Sequence, residues 1–125
     1  MNEKQDLLRK IKAENTVWII YIVLILICLY GNSLEKNYVL YNDPVSKEKY
    51  RKITIFIFTV ATLVYLYFFY DNYKDAKNLK ATDSKKKKNL TELSLIGSTL
   101  ILLSGIIFLY IAIVDTDLEV ELAFN

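Results

Sequence analysis

Four consecutive lysines, Lys85, Lys86, Lys87 and Lys88, form the densest run of charge in this chain of 125 residues. Beside a bilayer each lysine adds roughly 1 kcal/mol of attraction to anionic lipid, so the run is a candidate contact for lipid headgroups. It would equally well fix the orientation of a membrane protein without holding any particular ligand. No base-reading element accompanies it, and nucleic acid is not an expected partner. Negative charge gathers elsewhere: Asp115, Asp117, Glu119 and Glu121 alternate with Leu118, Val120, Leu122 and Phe124. An extended strand of this pattern has one acidic and one apolar face, which suits addition to another protein's sheet edge. The four carboxylates are therefore a candidate partner-binding tail, with a solvated, unstructured tail as the simpler expectation. Asp115-Thr116-Asp117 begins like a calcium loop, but the required glycine and the distant glutamate are missing.

Most of the remaining chemistry is excluded. The chain has no histidine, and its single cysteine, Cys28, lies inside an apolar run. A nucleophilic hydroxyl without a positioned base is only a polar side chain, and zinc has no ligand set. Catalysis or ion transport at membrane depth would need ionisable groups there, and the apolar stretches have none. The expectation is a protein that is not an enzyme, with no cofactor, no metal and no catalytic residue. One further set looks arranged: Ser94, Gly97, Ser98, Ser104 and Gly105 share roughly one face of a helix and would let another helix approach closely. That face fits a partner, a second copy, or packing within the chain against Thr59 and Thr62.

The elements that must carry these groups are set by three charge-free stretches, residues 17–34, 53–70 and 93–114, in a chain that is 54% hydrophobic. Each is 18 to 22 residues long. At about 1.5 Å per residue that is about 27 to 33 Å, against a hydrocarbon core of about 30 Å. The first two hold eleven Leu, Ile, Val or Phe residues each and the third holds fourteen. Each such residue favours insertion by roughly 0.3–0.6 kcal/mol, and no charge offsets them. A buried soluble hairpin is a poor alternative, because too little polar chain remains to cover it. A cleaved signal peptide fits the first stretch poorly, since Leu29 and Gly31 stand where an Ala-x-Ala-like site would be recognised. The expected fold is an all-α membrane protein, an antiparallel up-down-up bundle of three transmembrane helices.

Within that fold the spacing predicts spans over about 16–34, 53–73 and 92–114, preceded by an amphipathic segment over 1–15 and followed by the acidic tail over 115–125. The first segment either lies in the membrane interface or extends the first helix into the cytosol. Asp43 is placed to cap the second helix with Pro44 at its first position, and Glu48 with Lys52 is a helical ion pair. Asn89 and Glu92 resemble a capping box for the third helix. Tyr65, Tyr67, Phe68, Phe69, Tyr70 and Tyr73 match an interfacial aromatic belt, as Trp18 does at the first span.

Positive residues near span ends stay in the cytoplasm. The segments before, between and after the stretches carry four, five, seven and no Lys or Arg in turn. The N-terminus and the second loop are expected inside and the tail outside a cell membrane crossed several times. The functional expectation is an accessory or interaction subunit of a membrane complex, whose partners are the lipid bilayer and either another membrane protein or itself. A holin-like oligomeric pore and an immunity protein against a membrane-active toxin are the alternatives.

Overall fold

The computed structural model describes residues 2–122, and the expected contribution of Phe124 to the tail lies outside them. Among these residues every regular element is helical: α1 spans Asn2–Tyr41, α2 spans Pro44–Lys77 and α3 spans Lys85–Val114. All three are long and apolar enough to cross a membrane. Each outruns the stretch that defines it. The helices of 40, 34 and 30 residues are about 60, 51 and 45 Å long at 1.5 Å per residue.

The extra length comes from polar flanks rich in Lys and Glu, both good helix formers. At the front of α1 the helix runs unbroken from Asn2 through Thr16. An Asp6–Arg9 ion pair at 3.9 Å lies on its surface. The same propensity shortens the first connection, where a loop was expected over 35–52, to Asn42 and Asp43 alone. Asn42 ends α1 in the left-handed region at φ 52°, and its N–H donates to the Tyr38 carbonyl at 2.8 Å. Asparagine tolerates this conformation better than most residues. Asp43 then caps α2. Its carboxylate accepts the Ser46 hydroxyl at 2.8 Å and the Val45 N–H at 3.1 Å, and these bonds hold its pKa below the ordinary aspartate value. Glu48 pairs with Arg51 at 3.9 Å, three residues on, where Lys52 was expected.

The start of α3 also differs from expectation. Ser84 is the cap, its hydroxyl accepting the Lys87 N–H at 3.1 Å. Asn89 and Glu92 lie one and two turns inside the helix. Lysine propagates a helix well, so the run belongs to the helix and the cap moves to the serine before it. After Val114 the tail turns instead of extending. The Asp115 carboxylate accepts the N–H groups of Glu119 and Val120 at 3.0 and 2.9 Å. Leu118 sits at φ 55°, and Leu122 is buried.

The chain divides into two compact units at Ile57 and Phe58. In both, buried positions recur every seventh residue: Val17, Leu24 and Gly31 on α1, and Ser98, Gly105 and Ala112 on α3. On α2 the buried positions are denser, Ser46, Tyr50, Thr54 and Ile57 in the first unit and Phe58, Ala61 and Val64 in the second. A seven-residue repeat keeps one narrow stripe of a helix facing its neighbour, so few side chains are covered and the rest point outward.

Candidate helix-packing seam and basic cleft

In the second unit the seam is built from small residues on α3 and larger ones on α2. Thr91, Ser98, Gly105 and Ala112 follow one another at intervals of seven, and Leu95, Leu102 and Leu109 alternate with them; all seven are buried or half-buried. At Gly105 the approach is closest. A Cβ there would lie 2.8 Å from Tyr65 Cδ2 and 3.0 Å from Thr62 Oγ1. Seven residues toward the start of α3, the Ser98 hydroxyl donates to the Ser94 carbonyl at 2.8 Å and accepts from the Asn72 amide. Toward the other end Phe108 meets Phe58, ring centroids 5.7 Å apart, and Phe58 is only 1% exposed. These pairs run in opposite order along the two segments.

Of the five small residues singled out by type, Ser98 and Gly105 are thus brought into the seam. Ser94 and Ser104 are exposed, and nothing lies within 4 Å of a Cβ built on Gly97. Thr62 faces Gly105, whereas Thr59 is exposed. Ala112, Thr91 and the three alternating leucines were not singled out. The signal that finds them is the seven-residue register, not residue size alone. In the first unit Gly31 plays a looser version of the same part, its added Cβ meeting Ile53 Cγ2 at 3.4 Å and Tyr50 Cδ1 at 4.0 Å.

At the start of α3 the four lysines have different surroundings. Lys87 pairs with Asp83 at 3.3 Å, and Lys88 donates to the Ala81 carbonyl at 3.2 Å. Asp83 also accepts the Lys80 N–H at 2.7 Å. That bond first, and then Lys87, holds its pKa below the ordinary aspartate value. Lys86 and Lys87, with Thr91 and Ser94 of α3 and Asn72 and Asp75 of α2, line a cleft of about 410 Å³. Lys85 and Lys88 do not line it. The tail carboxylates are used differently: Asp115 is engaged in its own turn, while Asp117, Glu119 and Glu121 are exposed. Among the described residues no group of three His, Cys, Asp or Glu side chains is placed to hold a metal ion.

The fold and these two features define a chain of three long apolar helices with a tight packing seam and a basic cleft at one end of it. No family model, curated protein or solved structure matches it.

Proposed function

We propose that the chain is a multi-pass protein of a cell membrane and acts there as a non-enzymatic accessory or interaction subunit, through helix packing. The observation that carries this reading is the outward-facing apolar surface. Within the most apolar windows of α1, α2 and α3 only 22, 28 and 17% of residues are buried. Soluble monomers rarely expose contiguous apolar patches beyond a few hundred Å². A bilayer solvates such a surface, and helices satisfy their backbone groups internally in lipid.

The helices form an antiparallel up-down-up bundle in this reading, which is supported by the opposite order of the paired residues in the second unit. In this reading the N-terminal segment and the α2–α3 connection are cytoplasmic and the acidic tail is outside, supported by the excess of Lys and Arg before the first apolar stretch and between the second and third. Absence of charge from all three apolar stretches argues against an ion pathway or an intramembrane reaction. An interaction role remains, served by a seam of small residues and by the exposed Asp117, Glu119 and Glu121.

Alkaline carbonate extraction followed by mild-detergent co-purification tests this. The chain is expected to stay with the membrane and to emerge with a membrane protein in fixed ratio. Release into the carbonate supernatant would contradict the membrane reading. Conductance by the purified chain alone in planar bilayers would contradict the subunit reading and favour a pore.

A further inference from the structure

The cleft at the start of α3 has both the chemistry and the position of a headgroup site. Its volume of about 410 Å³ falls in the range of roughly 300–1,000 Å³ typical of small-ligand pockets. It takes in the Ser84 cap but is more than a helix N-terminus, because its lining extends along the first three turns of α3 and includes Asn72 and Asp75 of α2. The lining combines one cation free of ion pairs among the described residues, Lys86, with neutral donors on Thr91, Ser94 and Asn72. Charge-assisted bonds from an ammonium to phosphate oxygens are the strong kind, and hydroxyls and amides complete such a shell.

Depth adds a second argument. The apolar stretch of α3 begins at Leu93, and the lining on this side runs from the cap Ser84 to Ser94, an axial distance of about 15 Å. A headgroup layer is roughly 5–8 Å thick on each side of the hydrocarbon. The lining therefore straddles that layer. Leu90, on the same wall, and the exposed Leu93 offer an apolar edge toward the hydrocarbon. Asp75 also lines the cleft, and a like charge there opposes a doubly charged phosphate monoester more than a diester carrying one charge.

We propose that this cleft seats the phosphodiester of a phospholipid headgroup, with Lys86 as its charged contact and Thr91, Ser94 and Asn72 as neutral donors. The inference rests on the membrane reading above and deepens it by naming a lipid partner and its seat. It also separates lysines that a purely electrostatic surface would treat alike.

The test is native mass spectrometry of the full chain in detergent, titrated with phosphatidylglycerol, alongside the Lys86→Gln, Lys85→Gln, Lys88→Gln and Thr91→Val variants. Lys86→Gln is expected to cut retained lipid about fivefold or more. Thr91→Val, which changes no charge, should cut it measurably, while Lys85→Gln and Lys88→Gln should retain it. Equal loss in all three lysine variants, or loss in none, would overturn the proposal. Displacement of the lipid by millimolar glycerol phosphate would overturn the lipid as occupant and assign the cleft to a soluble phosphate. Carbonate extraction of the same variants keeps the two readings apart. A chain that stays in the membrane while Lys86→Gln behaves like Lys85→Gln loses only the cleft, and a chain that is extracted loses the membrane reading itself.

Discussion

Gly97 and Gly105 stand eight residues apart on one helix, each between one isoleucine and one serine, yet their settings differ completely. Gly105 is buried where a single added carbon would meet the Tyr65 ring at 2.8 Å. Around Gly97 there is open space. A small residue in an apolar helix therefore does not by itself mark an interface; its register does. Gly105 falls on the seven-residue repeat with Ser98 and Ala112, and Gly97 falls one place before it.

The comparison breaks most readily at Gly105. Gly105→Leu drives four carbons into the space held by Tyr65 and Thr62, and overpacking of this kind typically costs about 1–3 kcal/mol. The variant should lose thermal stability in detergent as the isolated monomer, because the partner belongs to the same chain. Gly97→Leu should stay within about 0.5 kcal/mol of the parent, as surface substitutions usually do, and Ile107→Leu on an exposed face should do the same. Equal loss at 97 and 105 would mean that the seven-residue register does not describe the packing. Should Gly97→Leu instead leave the monomer intact and abolish association with another protein, that open face becomes the surface for a partner.

A smaller effect is expected seven residues away, where the seam becomes polar. Asn72→Ala removes the donor to Ser98, and hydrogen bonds between membrane helices average about 0.6 kcal/mol. The loss should be visible in a thermal melt of the purified chain, and Ser98→Ala should give a similar loss without adding to it, since the two side chains form one bond. Additive losses would show that the pair is not coupled.

The smallest effect is a pH dependence confined to the α2–α3 connection. Asp83 has a folded pKa below its unfolded value, so its contribution is fully present above about pH 3.9 and is lost as pH falls through the lowered folded value. Hydrogen exchange should show the Lys80 amide, which donates to Asp83, losing protection in that acidic window. Asp83→Asn should remove this pH dependence, and its persistence in the variant would assign it to another group.

The helices were legible because absence of charge over 18 or more residues is a strong signal, and Asp43 with Pro44 marked one boundary by cap chemistry alone. The other boundaries were less legible. Apolarity marks where a membrane could lie, whereas helix ends depend on propensity and caps, which is why α1 runs on to Tyr41 and α3 begins at Lys85. Half of the seam was hidden for a different reason. Residue type alone groups the small residues on one side of α3, and only the repeat through Thr91, Ser98, Gly105 and Ala112 separates the packed positions from Ser94, Gly97 and Ser104. Asn72 carried no signal at all, because its partner is 26 residues away. The cleft was equally invisible: four identical lysines in sequence become distinct only when the end of α2 supplies Asn72 and Asp75 to one side of them.

Membrane crossing with a cytoplasmic N-terminus is tested most directly by cysteine accessibility in a Cys28→Ser background. Single cysteines replace Asn78 in the α2–α3 connection and Thr116 in the tail. In intact cells a membrane-impermeant maleimide should label Thr116→Cys at once and reach Asn78→Cys only after permeabilisation. The reverse pattern would invert the orientation, and equal labelling of both positions in intact cells would contradict a third crossing between them.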